Sequence, residues 1–168
     1  MSVVKRKSRL EKGDKLITRL AEASHADLLT NLTRRSKAHW GYSESQIIAW
    51  HDQLVISQNE IMEGRVWIGT LADTIVGYYS YEVLSTSAIK LDNLFLDPAY
   101  IGKGLGKVLM QDFLDRAKQQ GFQTATLNAE PYAEPFYRGF GFQVVDQLNS
   151  SIPGRSLPVM ELNLLKTS

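Results

Sequence analysis

Apolar residues recur along this chain with two periods, and the switches between them mark its elements. Leu16 to Ala21 reads as a first strand. From His25 to about His39, the spacing of Leu28, Leu29 and Leu32 predicts an amphipathic helix with Ser24 as its N-cap. Gly41 interrupts it. Ser43 and Gln46 have capping-box spacing and start a second helix, Glu44 to about Ile56, carrying Ile47, Ile48, Leu54 and Val55. Val66 to Leu71 and Ile75 to Val83 are strands, and the short Ala72-Asp73-Thr74 between them predicts an antiparallel hairpin. Ala88 to Leu96 is a further strand. In Leu105 to Gln120, the residues Leu105, Leu109, Phe113 and Ala117 recur every four positions beside Val108 and Leu114, which defines one buried helix face. Gly121 follows as the residue that ends it. Thr124 to Asn128 is a short strand and Ala133 to Arg138 a short helix. Phe142 to Asp146 and Leu157 to Leu164 are the last strands, joined by a polar loop, Gln147 to Ser156, that contains Pro153-Gly154. The order β-α-α-β-β-β-α-β-α-β-β predicts an α+β fold of mixed α/β layers, a central mostly antiparallel sheet flanked by helices.

Composition narrows the class. A chain of 168 residues is expected to be one domain and to bury roughly 70% of its unfolded surface. No apolar run approaches the roughly 18 residues of a membrane span, and the N-terminus carries no secretory h-region. The complete lack of cysteine removes disulfides, thiolate metal sites and an acyl-cysteine intermediate. His25 and His51 have no metal spacing with any carboxylate, so no metal is expected. A net charge of +1 gives no electrostatic ground for a nucleic-acid partner. The basic start, Lys5-Arg6-Lys7 with Arg9 and Lys12, reads as a solvated, disordered tail over residues 1–14, with the single domain at 15–168. The chain is expected to be cytoplasmic, without a membrane partner.

The strongest chemical signal lies between the Ala88 to Leu96 strand and the helix that opens at Leu105. There the chain runs Asp97-Pro98-Ala99-Tyr100-Ile101-Gly102-Lys103-Gly104-Leu105-Gly106-Lys107. Alternating glycines free the backbone to turn and to be approached closely. The helix that follows presents unpaired N–H groups backed by about half a unit of positive charge, which is an anion site suited to a diphosphate. A P-loop would need glycine at Ile101 and a hydroxyl at Val108. A dinucleotide fingerprint starting at Gly102 would need glycine at Lys107. Neither fits.

The segment Leu94-Phe95-Leu96-Asp97-Pro98 with Gly102-Lys103-Gly104-Leu105-Gly106 resembles motif A of the GNAT N-acetyltransferases, which wraps the pyrophosphate of coenzyme A. Asn128 followed by Pro135-Phe136-Tyr137-Arg138-Gly139-Phe140-Gly141-Phe142 resembles motif B of that family. The resemblance spans about residues 15 to 164 and implies the GNAT-like acyl-CoA acyltransferase fold. It departs at Ile101, where the family usually carries Gln or Arg, so one side-chain donor is lost while the backbone N–H groups, Lys103 and Lys107 remain.

The resemblance implies an acetyl-CoA-dependent N-acetyltransferase that transfers directly to a primary amine in a ternary complex. It places Leu94, Phe95 and Leu96 along the pantetheine arm, as an added strand would lie. Ile101, Gly102, Lys103, Gly104, Leu105, Gly106 and Lys107 fall on the pyrophosphate, and Asn128, Phe136 and Tyr137 on the rest of the cofactor. Tyr137 matches the tyrosine near the coenzyme sulfur and is the candidate acid for the leaving thiolate. Asp92, in mid-strand, is the first candidate for the base, and alternation puts it on one face with Leu94 and Leu96. His39, at the end of the first helix, is the second, because imidazole titrates in the physiological range. Trp40, Tyr42, Trp67, Tyr79 and Tyr81 are candidates for the acceptor-pocket wall, and Arg155 for a group that holds an acceptor carboxylate. The alternatives are a non-catalytic acyl-CoA-binding GNAT-like module and an acyltransferase using a longer acyl-CoA. The acceptor amine stays unidentified, and a homodimer stays open.

Overall fold

The computed structural model describes residues 15–166. The basic start of the chain, up to Asp14, lies outside the described residues. Seven strands, β1 (Ile17–Leu20), β2 (Val66–Leu71), β3 (Thr74–Val83), β4 (Ala88–Leu96), β5 (Thr124–Asn128), β6 (Gln143–Asn149) and β7 (Ser156–Asn163), pair in the order β1-β2-β3-β4-β5-β7-β6. Six α-helices accompany them: α1 (Ala26–His39), α2 (Glu44–Ala49), α3 (His51–Leu54), α4 (Gln58–Met62), α5 (Leu105–Gln119) and α6 (Glu134–Arg138). The β1–β2, β2–β3, β5–β7 and β6–β7 pairs are antiparallel, and β4–β5 is parallel. A parallel pair cannot be closed by a tight turn. The chain therefore leaves the C-terminal end of β4, crosses over through α5 and returns as β5. This crossover puts the N-terminus of α5 next to the end of β4.

The described residues form two compact units, and β3, β4 and α5 each contribute to both. The first comprises the N-terminal residues to Ser80 together with Asn93–Asp112. In it, α1 packs Ala26, Leu29 and Leu32 with Ile56, Ile61, Val66, Ile68 and Tyr78. Thr33 Oγ1 donates to the Leu29 carbonyl at 2.8 Å, so the Tyr78 hydroxyl must be the donor in its 2.5 Å bond to Thr33 Oγ1. Asp112 accepts from Thr18 Oγ1 at 2.9 Å and from the Tyr79 hydroxyl at 2.7 Å, tying β1 and β3 to α5. Gly77 in β3 is required by close approach: a Cβ there would meet the Phe95 carbonyl oxygen and a Leu96 methyl at 2.7 Å. The β2–β3 turn is made by Ala72 (φ 45°) and Asp73 (φ 68°), the two positive-φ positions of a primed hairpin turn.

The second unit comprises Tyr81–Asp92 and the chain from Phe113 onward. Its β4–β5 register runs from Ala88↔Thr124 to Leu91↔Leu127 and ends there. Tyr81 packs on Phe113 at 6.1 Å between ring centroids. β7 lies between β5 and β6, and β6 is almost wholly exposed.

The expected elements hold with several differences. Val108, expected on the buried face of α5, is 43% exposed. The last hairpin is longer than expected: β6 runs on to Asn149 and pairs there with Ser156, so the expected Gln147 to Ser156 loop shortens to residues 150–155. Ser24 is not the N-cap of the first helix, which begins at Ala26 with His25 before it. Residues Ala23–His25 form a 3-10 turn capped by Glu22, whose backbone N–H donates to His25 Nδ1 at 3.0 Å. Leu28, expected on the buried stripe, is 43% exposed. The expected Glu44 to Ile56 helix is two short helices, because Trp50 leaves helical geometry (φ −89°, ψ 8°) and buries its indole against the Tyr42 ring at 5.0 Å. Finally, α4 was not expected, although Ser57 and Glu60 form a reciprocal capping box.

Candidate active site

In the first unit, the end of β4 leads into the glycine turn. Asp97 N–H donates to the Val76 carbonyl at 2.8 Å, and the Asp97 side chain caps the 3-10 turn Pro98–Tyr100 by accepting from Ala99 N–H at 3.3 Å. Tyr100 is buried with Leu71, Val76 and Leu105 and anchors the turn from below. Gly102 and Gly104 sit at φ +87° and +79°, conformations that L side chains rarely adopt. A Cβ at either position would meet nothing within 4 Å, so the space over the turn is open. Gly106 is half-buried in the first turn of α5, and Lys103 and Lys107 are exposed cations beside it. Open backbone, a helix N-terminus and two lysines fit a diphosphate. Half-buried Ile101 contributes no polar side-chain atom to this cradle.

Leu94, Phe95 and Leu96 are half-buried. Their side chains anchor the strand: Phe95 packs on Tyr78 at 6.1 Å, and Leu96 packs with Leu71, Val76 and Leu105. Packing engages the Phe95 and Leu96 side chains, which leaves the backbone of those two residues for a ligand. Arg35 donates to Asp97 at 2.7 Å, fastening α1 to the base of the glycine turn. His39 is exposed at the end of α1, with the Trp40 ring edge-on at 5.1 Å.

The same unit holds a cluster that periodicity could have disclosed. Leu29, Thr33 and Lys37 recur every four residues on α1, so Lys37 lies on the buried face and is only 6% exposed. Its Nζ stands 5.1 Å from the centre of the Tyr42 ring, 5.2 Å from Trp50 and 5.5 Å from Phe95.

The second unit carries the other predicted residues. Asp92 is exposed on β4, one residue beyond the register with β5, and its carboxylate lies 3.9 Å from Lys90 Nζ. Asn128 is exposed at the end of β5, held in register opposite Val159. Phe136 stacks edge-on against Tyr137 at 5.2 Å and against Phe140 at 5.3 Å. Tyr137 is buried, with Phe142 6.1 Å away, and burial pushes its phenol well above the usual tyrosine range, with the nearby Glu130 charge adding to the shift. The phenol therefore keeps its proton firmly and is a weaker acid than a free tyrosine. Arg155 is engaged: its guanidinium pairs with Glu130 and donates to Ser150 Oγ at 3.2 Å. That occupies the group expected to reach for an acceptor carboxylate.

Tyr79 and Tyr81 do share a strand face, but they are spent on α5, through Asp112 and Phe113. Tyr42 belongs to the Lys37 cluster, Trp67 is half-buried, and Trp40 is 44% exposed. Among the described residues, no group of three His, Cys, Asp or Glu side chains could hold a metal ion, and no helix is long and apolar enough to cross a membrane.

The chain is similar to several known proteins. Residues 41–161 match the family model of the acetyltransferase (GNAT) domain. The peptidyl-lysine N-acetyltransferase YjaB of Salmonella typhimurium (strain LT2) is 29% identical over 161 residues, 94% of each chain. Among solved structures, a PaiA N-acetyltransferase from Thermoplasma acidophilum in complex with coenzyme A superposes with a TM-score of 0.73 at 22% identity, covering 89% of this chain and 99% of that one. The YncA protein of Salmonella typhimurium, described as a putative acetyltransferase and solved with acetyl-CoA, gives 0.66 at 20% identity, covering 92% and 96%.

Proposed function

This chain belongs to the GNAT acetyltransferase family, and from that premise we propose that it is an acetyl-CoA-dependent N-acetyltransferase acting directly on a primary amine. The observation that supports this reading most is the β4–glycine turn–α5 junction, with Gly102 and Gly104 at positive φ and open space above them. Acetyl-CoA supplies an activated thioester. The turn from Ile101 to Lys107 holds its pyrophosphate through backbone N–H groups, the α5 N-terminus and the two lysines. The backbone of Leu94 to Leu96, beyond the register with β5, pairs with the pantetheine arm, and Asn128 and Phe136 line the cofactor.

In the transfer itself, the amine nitrogen forms a bond to the acetyl carbonyl carbon and the carbon–sulfur bond breaks. The ammonium proton goes first to a base, for which Asp92 is favoured over His39 because rigid strand backbone sets its position. The sulfur leaves as thiolate and takes a proton from the Tyr137 hydroxyl, while the new amide nitrogen sheds its second proton, which returns through solvent to restore the phenol. The absence of cysteine agrees with direct transfer. A relative acting on peptidyl-lysine makes a lysine peptide the first acceptor to try.

Free-thiol release from acetyl-CoA, measured with lysine peptides, polyamines and amino acids, tests the reading. Amine-dependent release is expected. Tight acetyl-CoA binding with no release for any amine would instead mark a non-catalytic acyl-CoA-binding module, and faster release from longer acyl-CoA would mark a different acyl preference.

A further inference from the structure

The first unit contains a cavity of about 500 Å³ between α1 and the α2–α3 segment, within the size range of small-ligand sites. Arg34, Ala38, Glu44, Ile47, Ile48 and His51 line it. Arg35 completes one rim, but its guanidinium is already paired with Asp97. Arg34 is different. Its Nη2 bonds to His51 Nδ1, and since guanidinium can only donate, the imidazole nitrogen is the acceptor. The Nε–H of Arg34 is buried and meets no hydrogen-bond acceptor among the described residues. Nε and Nη2 form one edge of the guanidinium fork, the kind of edge a carboxylate can grip with both oxygens. Here one position on that edge is taken by an exposed imidazole and the other by nothing. Buried donors of this kind are uncommon in folded proteins and call for a partner.

The rest of the cavity limits what the partner can be. Ala38, Ile47 and Ile48 give it an apolar wall, and Ile48 keeps 65% of its surface exposed. Glu44 adds a negative charge on the helix facing Arg34. A polyanion such as a nucleotide would be repelled by Glu44, whereas a single carboxylate on an apolar body can be taken at Arg34. We propose that the α1–α2 cavity is a binding site for a small apolar monocarboxylate, gripped by the Nε–Nη2 edge of Arg34 once His51 swings aside. This goes beyond the acetyl-transfer reading and does not depend on it. The carboxylate can belong to an amino-acid acceptor or to an effector that does not react; the chemistry of the site is the same.

The test uses the whole chain and calorimetric titration with three probes of one shape: 4-methylpentanoate, leucine and isoamylamine. The first two are expected to bind saturably at about millimolar concentration, and isoamylamine is not. Arg34→Gln should weaken 4-methylpentanoate at least tenfold. His51→Ala should tighten it several-fold, because the side chain it displaces is gone. Ile48→Glu, at an exposed position that folding does not need, should also weaken it by about tenfold through charge repulsion. Stabilisation by acetyl-CoA should be the same in wild type and all three variants, which separates loss of this site from loss of the fold or of the cofactor site. Thiol release with leucine then assigns the source: Arg34-dependent release makes the site the acceptor's, and binding without release makes it an effector's, both within the proposal. Absence of carboxylate binding, equal binding of isoamylamine, or affinity unchanged in Arg34→Gln would overturn it.

Discussion

The chain from Ala26 to Met62 and the chain from Ala88 to Arg138 are built on different rules. The second follows motifs in which backbone conformation does the chemical work. Gly102 and Gly104 hold positive φ over open space, α5 starts at the turn, and Tyr137 is fixed by its aromatic neighbours. The first is held by side-chain contacts rather than by backbone motifs. Three of its four helices have six residues or fewer, too short to persist on propensity alone, and they are held by the Ser43 cap of α2, the capping box of α4, a buried Trp50 and a caged lysine. The proposed cofactor and catalytic residues fall in the second region, apart from His39, and the proposed carboxylate cavity in the first. Substitutions in the second region should strike catalysis and cofactor binding; those in the first should strike stability and ligand choice.

The largest expected effect tests that division at Tyr137. Tyr137→Phe keeps the ring and its packing and removes the proton. Because burial has weakened this phenol as an acid, the fall in kcat is expected near the lower end of the 10²–10⁴-fold range, about 10². Acetyl-CoA stabilisation should be unchanged. The raised value also has a stability consequence. A tyrosine whose folded value lies above 10 stabilises the protein fully below about pH 10, and that contribution is lost as pH rises further. Tyr78 is buried and shifted the same way. Melting between pH 9 and 11 should therefore show a shallower alkaline fall in Tyr137→Phe than in wild type, though not an absent one. A kcat within about twofold of wild type would make Tyr137 a packing residue and remove the distinction between the regions at its strongest point.

A second measurement sets one region directly against the other. Asp92 lies in the second and His39 in the first. Asp92→Asn is expected to lower kcat/KM by about 10² and to flatten its acidic limb, while His39→Gln leaves rate and profile intact. Profiles repeated with amines of different basicity identify any limb that belongs to the substrate. If His39→Gln removes the limb instead, the N-terminal region contributes to the chemistry and the division fails. If both variants keep the wild-type rate, the amine arrives already deprotonated.

Legibility in the sequence divides the same way. The order of strands, the α5 face and the glycine turn were readable because each rests on local period or local backbone chemistry: four-residue recurrence from Leu105 to Ala117, and glycines where φ turns positive. The break at Trp50 was not readable. Ile47, Ile48, Leu54 and Val55 continue a helical period through it, and only burial of the indole against Tyr42 and Lys37 overrides that period. Lys37 was half legible: its spacing from Leu29 and Thr33 places it inside, but lysine is almost never fully buried, so residue type argues against the spacing. The engagement of Arg155 by Glu130 joins residues 25 apart, and no local signal carries it. The α4 capping box, Ser57 with Glu60, was present in the sequence and missed.

The glycine turn offers a test of similar size with a different readout. At a hundredfold excess over Kd, acetyl-CoA should stabilise the protein by about 2.7 kcal/mol. For a chain of this length that is roughly 5–10 °C in Tm, and ATP should give much less. Gly104→Val should abolish the shift. An added Cβ meets nothing within 4 Å among the described residues, so the main structural cost is the positive φ, about 1–2 kcal/mol. The variant is thus expected to fold with a lowered Tm that acetyl-CoA no longer raises. A shift as large as in wild type would detach the turn from cofactor binding.

The smallest expected effect concerns Lys37, and it sharpens the comparison from the other side. Burial of an ammonium group is costly unless something replaces its water. Here three ring faces stand within 5.5 Å of Nζ, and desolvated cation–π contacts are worth up to about 2 kcal/mol each in favourable cases. Much of that gain offsets the desolvation cost, so the net worth of the charge is less than the sum of three contacts. Lys37→Met keeps the stem, fills the same space and removes the charge, and is expected to cost about 1–2 kcal/mol, a fall of roughly 2–8 °C in Tm. Lys37→Arg should recover part of it, because guanidinium also stacks on aromatic faces. The cluster joins α1 to Tyr42, Trp50 and the side chain of Phe95, whereas the cofactor contacts assigned to that stretch of β4 are made by backbone. The acetyl-CoA shift and kcat should therefore stay near wild type in both variants, with any kinetic change appearing in the KM for the amine. If Lys37→Met instead lowers kcat more than tenfold in a well-folded protein, the caged lysine acts in the chemistry itself, and the N-terminal region does more than choose and hold a ligand.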